Sequence, residues 1–218
     1  MLGTTVARFS FSAVQLLNEG IYGKANKRFY DHPGMVTGVQ KYGSLFLSVP
    51  KKTEGEDKEE QPNPYYLAMS FSWLLGSANM LGIEVQQAIL KRYSSYGDEA
   101  RLIREFQKSY SASLRLKNDE ESKKVTESFL SRRFACLANE VGNFCGMRTR
   151  ENFLAIHPVI ADTAAAICGV AESRNFDLVS EFAVVFENGC PKCHESVCET
   201  CGFMFAEFPK ALQEVAQT

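Results

Sequence analysis

Four cysteines near the C-terminus are the residues of this chain with the most clearly defined chemistry. Their spacing is C-x2-C-x4-C-x2-C, and they are Cys190, Cys193, Cys198 and Cys201. Each CxxC pair can fold into a knuckle with both sulfurs pointing the same way, and two facing knuckles form a tetrahedral cage. Four thiolates leave no open position for water, so the spacing predicts a structural Zn²⁺ ion rather than a catalytic one.

Other uses of these cysteines remain open from the spacing. Two disulfides or an iron–sulfur centre would also employ four clustered sulfurs. His194 lies inside the cluster and could replace one sulfur, although four cysteines already fill the coordination shell. The remaining three cysteines stand among apolar residues, where we expect small buried side chains; they are Cys136, Cys145 and Cys168.

Composition is that of an ordinary globular protein. The chain has 218 residues, 45% hydrophobic and 23% charged, with a formal net charge of −2. This balance argues against a protein built to coat nucleic acid, and no apolar run is expected to span a membrane. Seven cysteines without a signal-peptide core favour a reducing intracellular compartment. The absence of acidic residues before Glu19 is similar to a mitochondrial presequence, so both the cytoplasm and the mitochondrial matrix are consistent.

Apolar residues recur at helical spacing through most of the chain, which predicts an all-α protein. Gly82 should break the segment 65–93 into two helices. Segment 51–64 is charged and rich in polar residues, so we expect a disordered acidic loop there. Strand-like alternation is confined to 44–49. Segments 31–34 and 157–158 each place a histidine before a proline and are interpreted as a turn and a helix start.

The chain contains an internal repeat. Residues 68–93 align without gaps to residues 161–186 at a constant offset of 93, with alanine or glycine identical at three positions. Upstream, the sequence LLNE at 16–19 is similar to LANE at 137–140. A duplication predicts two helices in each copy, broken near Gly82 and Asn175, and packed about a pseudo-two-fold axis.

The repeat resembles the all-α MazG-like nucleotide pyrophosphohydrolases. Their pattern A-N-x-L-G-I-D-L-E-E-A-L-x-K-K-Y is similar to ANMLGIEVQQAILKRY at 78–93. Some members append a tail of the form G-C-P-x-C, which residues 189–193 match. The resemblance implies a helical bundle of two degenerate repeats, at 1–96 and 97–187 (the latter including a connecting helix), followed by a zinc knuckle and C-terminal tail at 188–218.

The resemblance also implies a Mg²⁺ cage of carboxylates, from E-E-x-x-E on one helix and E-x-x-D on the next. Only three carboxylates remain at the corresponding positions: Glu19 in the first half, and Glu140 and Asp162 in the second. The other positions carry residues that hold a divalent cation poorly or not at all; they are Asn18, Tyr22, Tyr66, Met69, Asn139, Asn143 and Val159.

The sequence therefore favours a pseudoenzyme, a MazG-like scaffold or interaction subunit of a larger assembly whose partners are other protein subunits. One alternative is an active Mg²⁺-dependent nucleoside triphosphate pyrophosphohydrolase. A second is a zinc-containing RNA-binding module, which would use a group of arginines, although the acidic balance of the chain favours a solvated helix face as their explanation. These are Arg132, Arg133, Arg148 and Arg150.

Overall fold

The structure is a computed structural model that describes residues 11–48, 62–93, 120–175, 177–199 and 201. This part of the chain is helical and contains no strand, so the all-α prediction is confirmed. The helices are α1 (Phe11–Phe29), α2 (His32–Leu47), α3 (Pro64–Leu81), α4 (Val85–Arg92), α5 (Glu120–Gly146), α6 (Arg150–Ser173) and α7 (Leu178–Val185).

Polar caps determine where the first helices begin. The Asp31 side chain accepts a hydrogen bond of 2.7 Å from the backbone N–H of Gly34, which makes it the N-cap of α2. The segment 31–34 is thus a helix start rather than a free turn. The predicted strand-like stretch at 44–49 is also wrong over its first four residues, because α2 continues to Leu47.

Asn63 plays the same capping role for α3. Its side chain accepts a 3.0 Å hydrogen bond from the N–H of Tyr65, and Pro64 follows as the first helical residue. The predicted loop at 51–64 is therefore too long at its end, because residue 64 already belongs to a helix. Residues 51–61 lie outside the described part of the chain, as do residues 97–119 of the predicted connecting helix.

In each half of the bundle, the short second helix packs against the long helix of the other half. Helix α3 packs along α2, and α6 packs along α5. Helix α4 reaches across to α6, while α7 reaches across to α3, and α2 also meets α5. This reciprocal arrangement is the one expected of two units related by a pseudo-two-fold axis. Helix α1 completes the first unit by packing on α3 and α4.

The helix breaks fall at equivalent positions in the two units, as the repeat predicts. Gly82 follows α3 with a φ of 67°, and Asn175 follows α6 with a φ of 58°. Both are left-handed, a conformation that glycine adopts freely and asparagine tolerates better than most residues. Adding the repeat offset of 93 to the first and last residues of α4 gives Leu178 and Val185, the bounds of α7.

Helix α6 differs from its expected form at its beginning. It begins at Arg150, after Thr149 as N-cap, and Pro158 lies inside it. The interpretation of 157–158 as a helix start is therefore wrong.

Helix α6 is also long and apolar enough to cross a membrane by length and composition alone, which was not expected from the sequence. Its most apolar window has a mean hydropathy of 1.7. Of that apolar window 67% is buried in the bundle, as in the core helix of a soluble protein.

Candidate functional site

The four clustered cysteines form a candidate metal centre immediately after α7. One sulfur from each of Cys190, Cys193, Cys198 and Cys201 lies within 4.8 Å of the others. Tetrahedral zinc with Zn–S bonds of about 2.3 Å needs sulfurs roughly 3.8 Å apart, so the cluster fits a metal after a small contraction. No disulfide joins any of the seven cysteines, all of which lie in the described ranges. Four close thiols can thus hold a metal ion.

The backbone of the first knuckle explains the residues that flank its cysteines. The N–H of Cys190 donates to the carbonyl of Glu195 at 2.9 Å, and the N–H of His194 donates to the carbonyl of Cys190 at 2.7 Å. Gly189 has a φ of 85°, and a Cβ there would lie 2.3 Å from the Glu195 carbonyl oxygen. Only glycine fits this close approach, so Gly189 is required by the turn geometry.

Hydrogen bonds to the Cys190 sulfur prepare it to bind a cation. Burial alone would raise its pKa, but the backbone N–H groups of Cys193 and Lys192 and the Tyr22 hydroxyl outweigh burial and lower the pKa. Burial is also the main cause that raises the pKa of Cys198. Thiolates are the form that binds a metal, so these hydrogen bonds favour the metal-binding form of Cys190.

The metal centre is anchored on helix α1. The N–H of Cys198 donates to the carbonyl of Ile21 at 2.7 Å. Lys24 forms an exposed ion pair of 2.7 Å with Glu199, and Tyr22 supplies the hydroxyl that contacts Cys190. The C-terminal knuckle thus closes on the first helix of the chain, which gives a metal there a role in the tertiary structure.

Asp162, the carboxylate candidate on α6, is enclosed by cationic and hydroxyl donors. Arg92 donates to it from Nε at 3.0 Å and from a terminal nitrogen at 3.3 Å, and Arg133 donates at 3.1 Å. The Tyr93 hydroxyl donates at 2.7 Å. The carboxylate is buried, with 8% of its side chain exposed. Its lone pairs are directed at protein donors, which leaves little capacity for a cation.

Glu140 lies far along the helix from Asp162. Asn152 on α6 donates to the carbonyl of Asn143 on α5, and Asp162 pairs with Arg133 ten residues earlier on α5. The two helices are therefore antiparallel in a fixed register. Glu140 is seven residues from the level of Asp162, or about 10 Å along the axis. The structure does not bring these two carboxylates into one cage.

In the first unit, three of the five aligned cage positions meet around a small cavity. Asn18, Tyr22 and Met69 line it, together with Ser72 and side chains that include Trp73 and Cys201. Asn18 is 1% exposed, and its amide nitrogen donates to the carbonyl and hydroxyl oxygens of Ser72 at 3.1 and 2.7 Å. The cavity of about 20 Å³ has room for one water molecule.

The last carboxylate candidate, Glu19, lies on the surface of α1 and forms a 2.8 Å ion pair with Lys27. Tyr66 and Val159 are half-buried and pack against the core. Each of these three positions is therefore occupied by an ion pair or by apolar packing.

Of the four arginines considered for RNA, Arg133 is held by Asp162 and lies over the Phe129 ring at 4.5 Å. The others are exposed; they are Arg132, Arg148 and Arg150. Sequence reasoning missed the roles of Arg92, Tyr93 and Arg133 around Asp162. The K-K-Y end of the family pattern, matched here by Lys-Arg-Tyr at 91–93, is the one signal that could have drawn attention to two of them.

No protein-family model, no curated protein and no solved structure matches this chain.

Proposed function

We propose that this chain is a non-catalytic, MazG-like helical scaffold, stabilised by structural zinc, that serves as an interaction subunit of a larger protein assembly. The observation that carries the proposal is the environment of Asp162. Two guanidinium groups and a hydroxyl occupy the carboxylate that a Mg²⁺ ion would need. A cation there would have to displace these donors and face two positive charges.

The first unit supports the same conclusion by a different arrangement. Met69 stands at the position aligned with Asp162, and it is buried in the core. The Asn18 amide nitrogen donates to the Ser72 hydroxyl, and the Tyr22 hydroxyl is directed to the cysteine cluster. Among the described residues, the aligned cage positions of neither unit present a group of free carboxylates, which are the ligands that Mg²⁺-supported attack of water on a nucleotide would need.

Zinc is the metal that we assign to the cysteine cluster. Four sulfur ligands in a closed shell favour zinc over the hard cations, which prefer oxygen. The contacts of the cluster with Ile21 and Tyr22 give the ion a structural task, because they hold the C-terminal knuckle on α1. A site of four cysteine thiols also favours a reducing compartment.

The test is a search for pyrophosphate. Zinc-loaded protein is incubated with Mg²⁺ or Mn²⁺ and a panel of ribo- and deoxyribonucleoside triphosphates, beside Asp162→Asn and Glu140→Gln variants. We expect no pyrophosphate above the buffer control from any of the three proteins. If the unmodified protein releases pyrophosphate and either variant abolishes the release, the chain is a pyrophosphohydrolase and the proposal is wrong.

A further inference from the structure

A groove lies between α4 and the first half of α6. Its volume is about 290 Å³, near the lower end of ligand-pocket volumes. Of the described residues that line it, three are apolar, namely Ala88, Leu154 and Pro158, and three are polar, namely Lys91, Arg92 and His157. Leu154 is 47% exposed, so apolar surface at the groove remains uncovered.

Pro158 gives the groove a backbone acceptor. Proline has no N–H, so the carbonyl of Leu154, four residues earlier, lacks its usual helical donor. Both residues line the groove. A carbonyl without its helical partner is an acceptor that a ligand N–H can satisfy. Helix α6 therefore lacks one internal hydrogen bond at the two residues by which it lines the groove, and we expect the freed Leu154 carbonyl to be available to a ligand there.

The electrostatics of the groove are positive. Arg92 and Arg133 share the single carboxylate of Asp162, which leaves one positive charge uncompensated. Lys91 adds a second positive charge and has no ion-pair partner among the described residues. His157 adds none near neutral pH, because burial, and then the charge of Lys91, lower its pKa. The groove thus combines a net positive charge, an apolar wall and a hydrogen-bond acceptor.

We propose that this groove binds an acidic, leucine-containing peptide segment of a protein partner. The carboxylates of such a segment pair with Lys91 and the exposed side of Arg92. An apolar side chain covers Leu154 and Pro158, and a backbone N–H of the peptide donates to the Leu154 carbonyl. The inference rests on the proposed interaction function and names the surface and the partner's chemistry.

A nucleotide or an RNA strand fits the groove less well than a peptide does. Among the described side chains that line it, the imidazole of His157 is the only aromatic ring, and that imidazole is already in a T-shaped contact with Phe153 at 5.1 Å between centroids. Base recognition uses aromatic faces for stacking. An unpartnered carbonyl matches the N–H of a peptide backbone, whereas a phosphate carries only acceptors near neutral pH.

The binding test uses three fluorescently labelled, amidated pentapeptides with the alternating sequences Glu-Leu-Glu-Leu-Glu, Gln-Leu-Gln-Leu-Gln and Lys-Leu-Lys-Leu-Lys. Anisotropy measures affinity for zinc-loaded protein, and methyl NMR of Leu154 locates the peptide. We expect the acidic peptide to bind at least about tenfold more tightly than the neutral one and to shift the Leu154 methyl signals. No binding of the acidic peptide, or ATP or oligouridylate shifting these signals more strongly, overturns the inference.

Charge reversal provides the matched comparison. Lys91→Glu should lower the affinity for the acidic peptide at least about tenfold and allow the basic peptide to bind. Arg132→Glu, an exposed cation on α5 outside the groove, should leave both affinities unchanged. Pro158→Ala restores an N–H to α6 that can bond the Leu154 carbonyl, so it should also lower the affinity for the acidic peptide. If Lys91→Glu and the unmodified protein bind the acidic peptide with equal affinity, the proposed site is wrong. The proposed non-catalytic function is tested separately, by the pyrophosphate assay.

Discussion

Replacing Asp162 by asparagine should destabilise the bundle, because this carboxylate links α6 to both α4 and α5. Asparagine keeps the shape of the side chain but removes its charge and replaces one acceptor oxygen with a donor. The Arg92 and Arg133 guanidiniums and the Tyr93 hydroxyl would then face an amide. The loss of the carboxylate affects Arg133 more than Arg92, because only 28% of the Arg133 side chain is exposed to solvent.

The expected loss is about 2–3 kcal/mol in the free energy of unfolding. Removing one partner of a fully buried ion pair costs about 3–5 kcal/mol. Arg92 is half-exposed, and water can solvate its guanidinium when the carboxylate is lost, so its share is discounted. For a chain of this length, each 1 kcal/mol corresponds to about 2–4 °C in Tm. The variant should therefore unfold roughly 4–12 °C lower.

Urea denaturation with zinc present measures the effect, using the fluorescence of Trp73, the single tryptophan of the chain. A double-mutant cycle of Asp162→Asn with Arg133→Met isolates their mutual interaction, expected at about 1–2 kcal/mol. Glu19→Gln is the matched control, because it also removes a carboxylate from an ion pair at an aligned cage position. Its pair with Lys27 is exposed, so it should lose under about 1 kcal/mol.

Two results would refute this reasoning. If Asp162→Asn unfolds at the same urea concentration as the unmodified protein, the carboxylate does not link the helices as the structure indicates. If the coupling with Arg133 is zero while the single variant is destabilised, the loss arises elsewhere in the packing of α6.

Three further predictions use other parts of the bundle. Gly43→Ala should destabilise by about 1–3 kcal/mol in urea denaturation, because its Cβ would lie 2.2 Å from the Phe134 ring. Gly142→Ala, which meets nothing within 4 Å, should stabilise by about 0.5–1 kcal/mol; equal effects would contradict the packing of α2 on α5. Elemental analysis should find one zinc per chain, lost in Cys198→Ser; iron or disulfides would contradict the assignment. Because burial lowers the pKa of His157, folding resists its protonation, so stability should fall as pH drops below about 6.5. The fall should be smaller in His157→Gln, and an identical pH profile would show that this imidazole is not buried.

The features that the sequence predicted well depend on local backbone chemistry. Gly82 ends α3 because glycine adopts a positive φ without strain, and that requirement is visible in one residue. The cysteine cluster is equally local, since its spacing alone brings the four sulfurs close together. The helix break near Asn175 was predicted in the same way, because the repeat places it at a constant offset of 93 residues from Gly82.

The features that the sequence missed depend on register between helices. Arg133 lies 29 residues before Asp162, and Arg92 lies 70 residues before it; nothing in the local sequence pairs them. Glu140 and Asp162 were paired through a family pattern, whereas antiparallel packing of α5 on α6 separates them along the axis. The start of α6 lies eight residues before Pro158, because Thr149 caps the helix and the proline is accommodated inside it, where a sequence pattern predicts a beginning.

The two units differ at the positions where the MazG-like resemblance predicts carboxylates. Asp162 and Met69 stand at equivalent positions, 93 residues apart, on the central helices α6 and α3. In the second unit the Asp162 carboxylate is paired with arginines from α4 and α5, which ties the units together. In the first unit the position is apolar, and the cavity beside it is lined by Cys201 of the C-terminal knuckle. Because Met69 is buried in apolar packing, placing a carboxylate at this position would oppose the packing of the first unit.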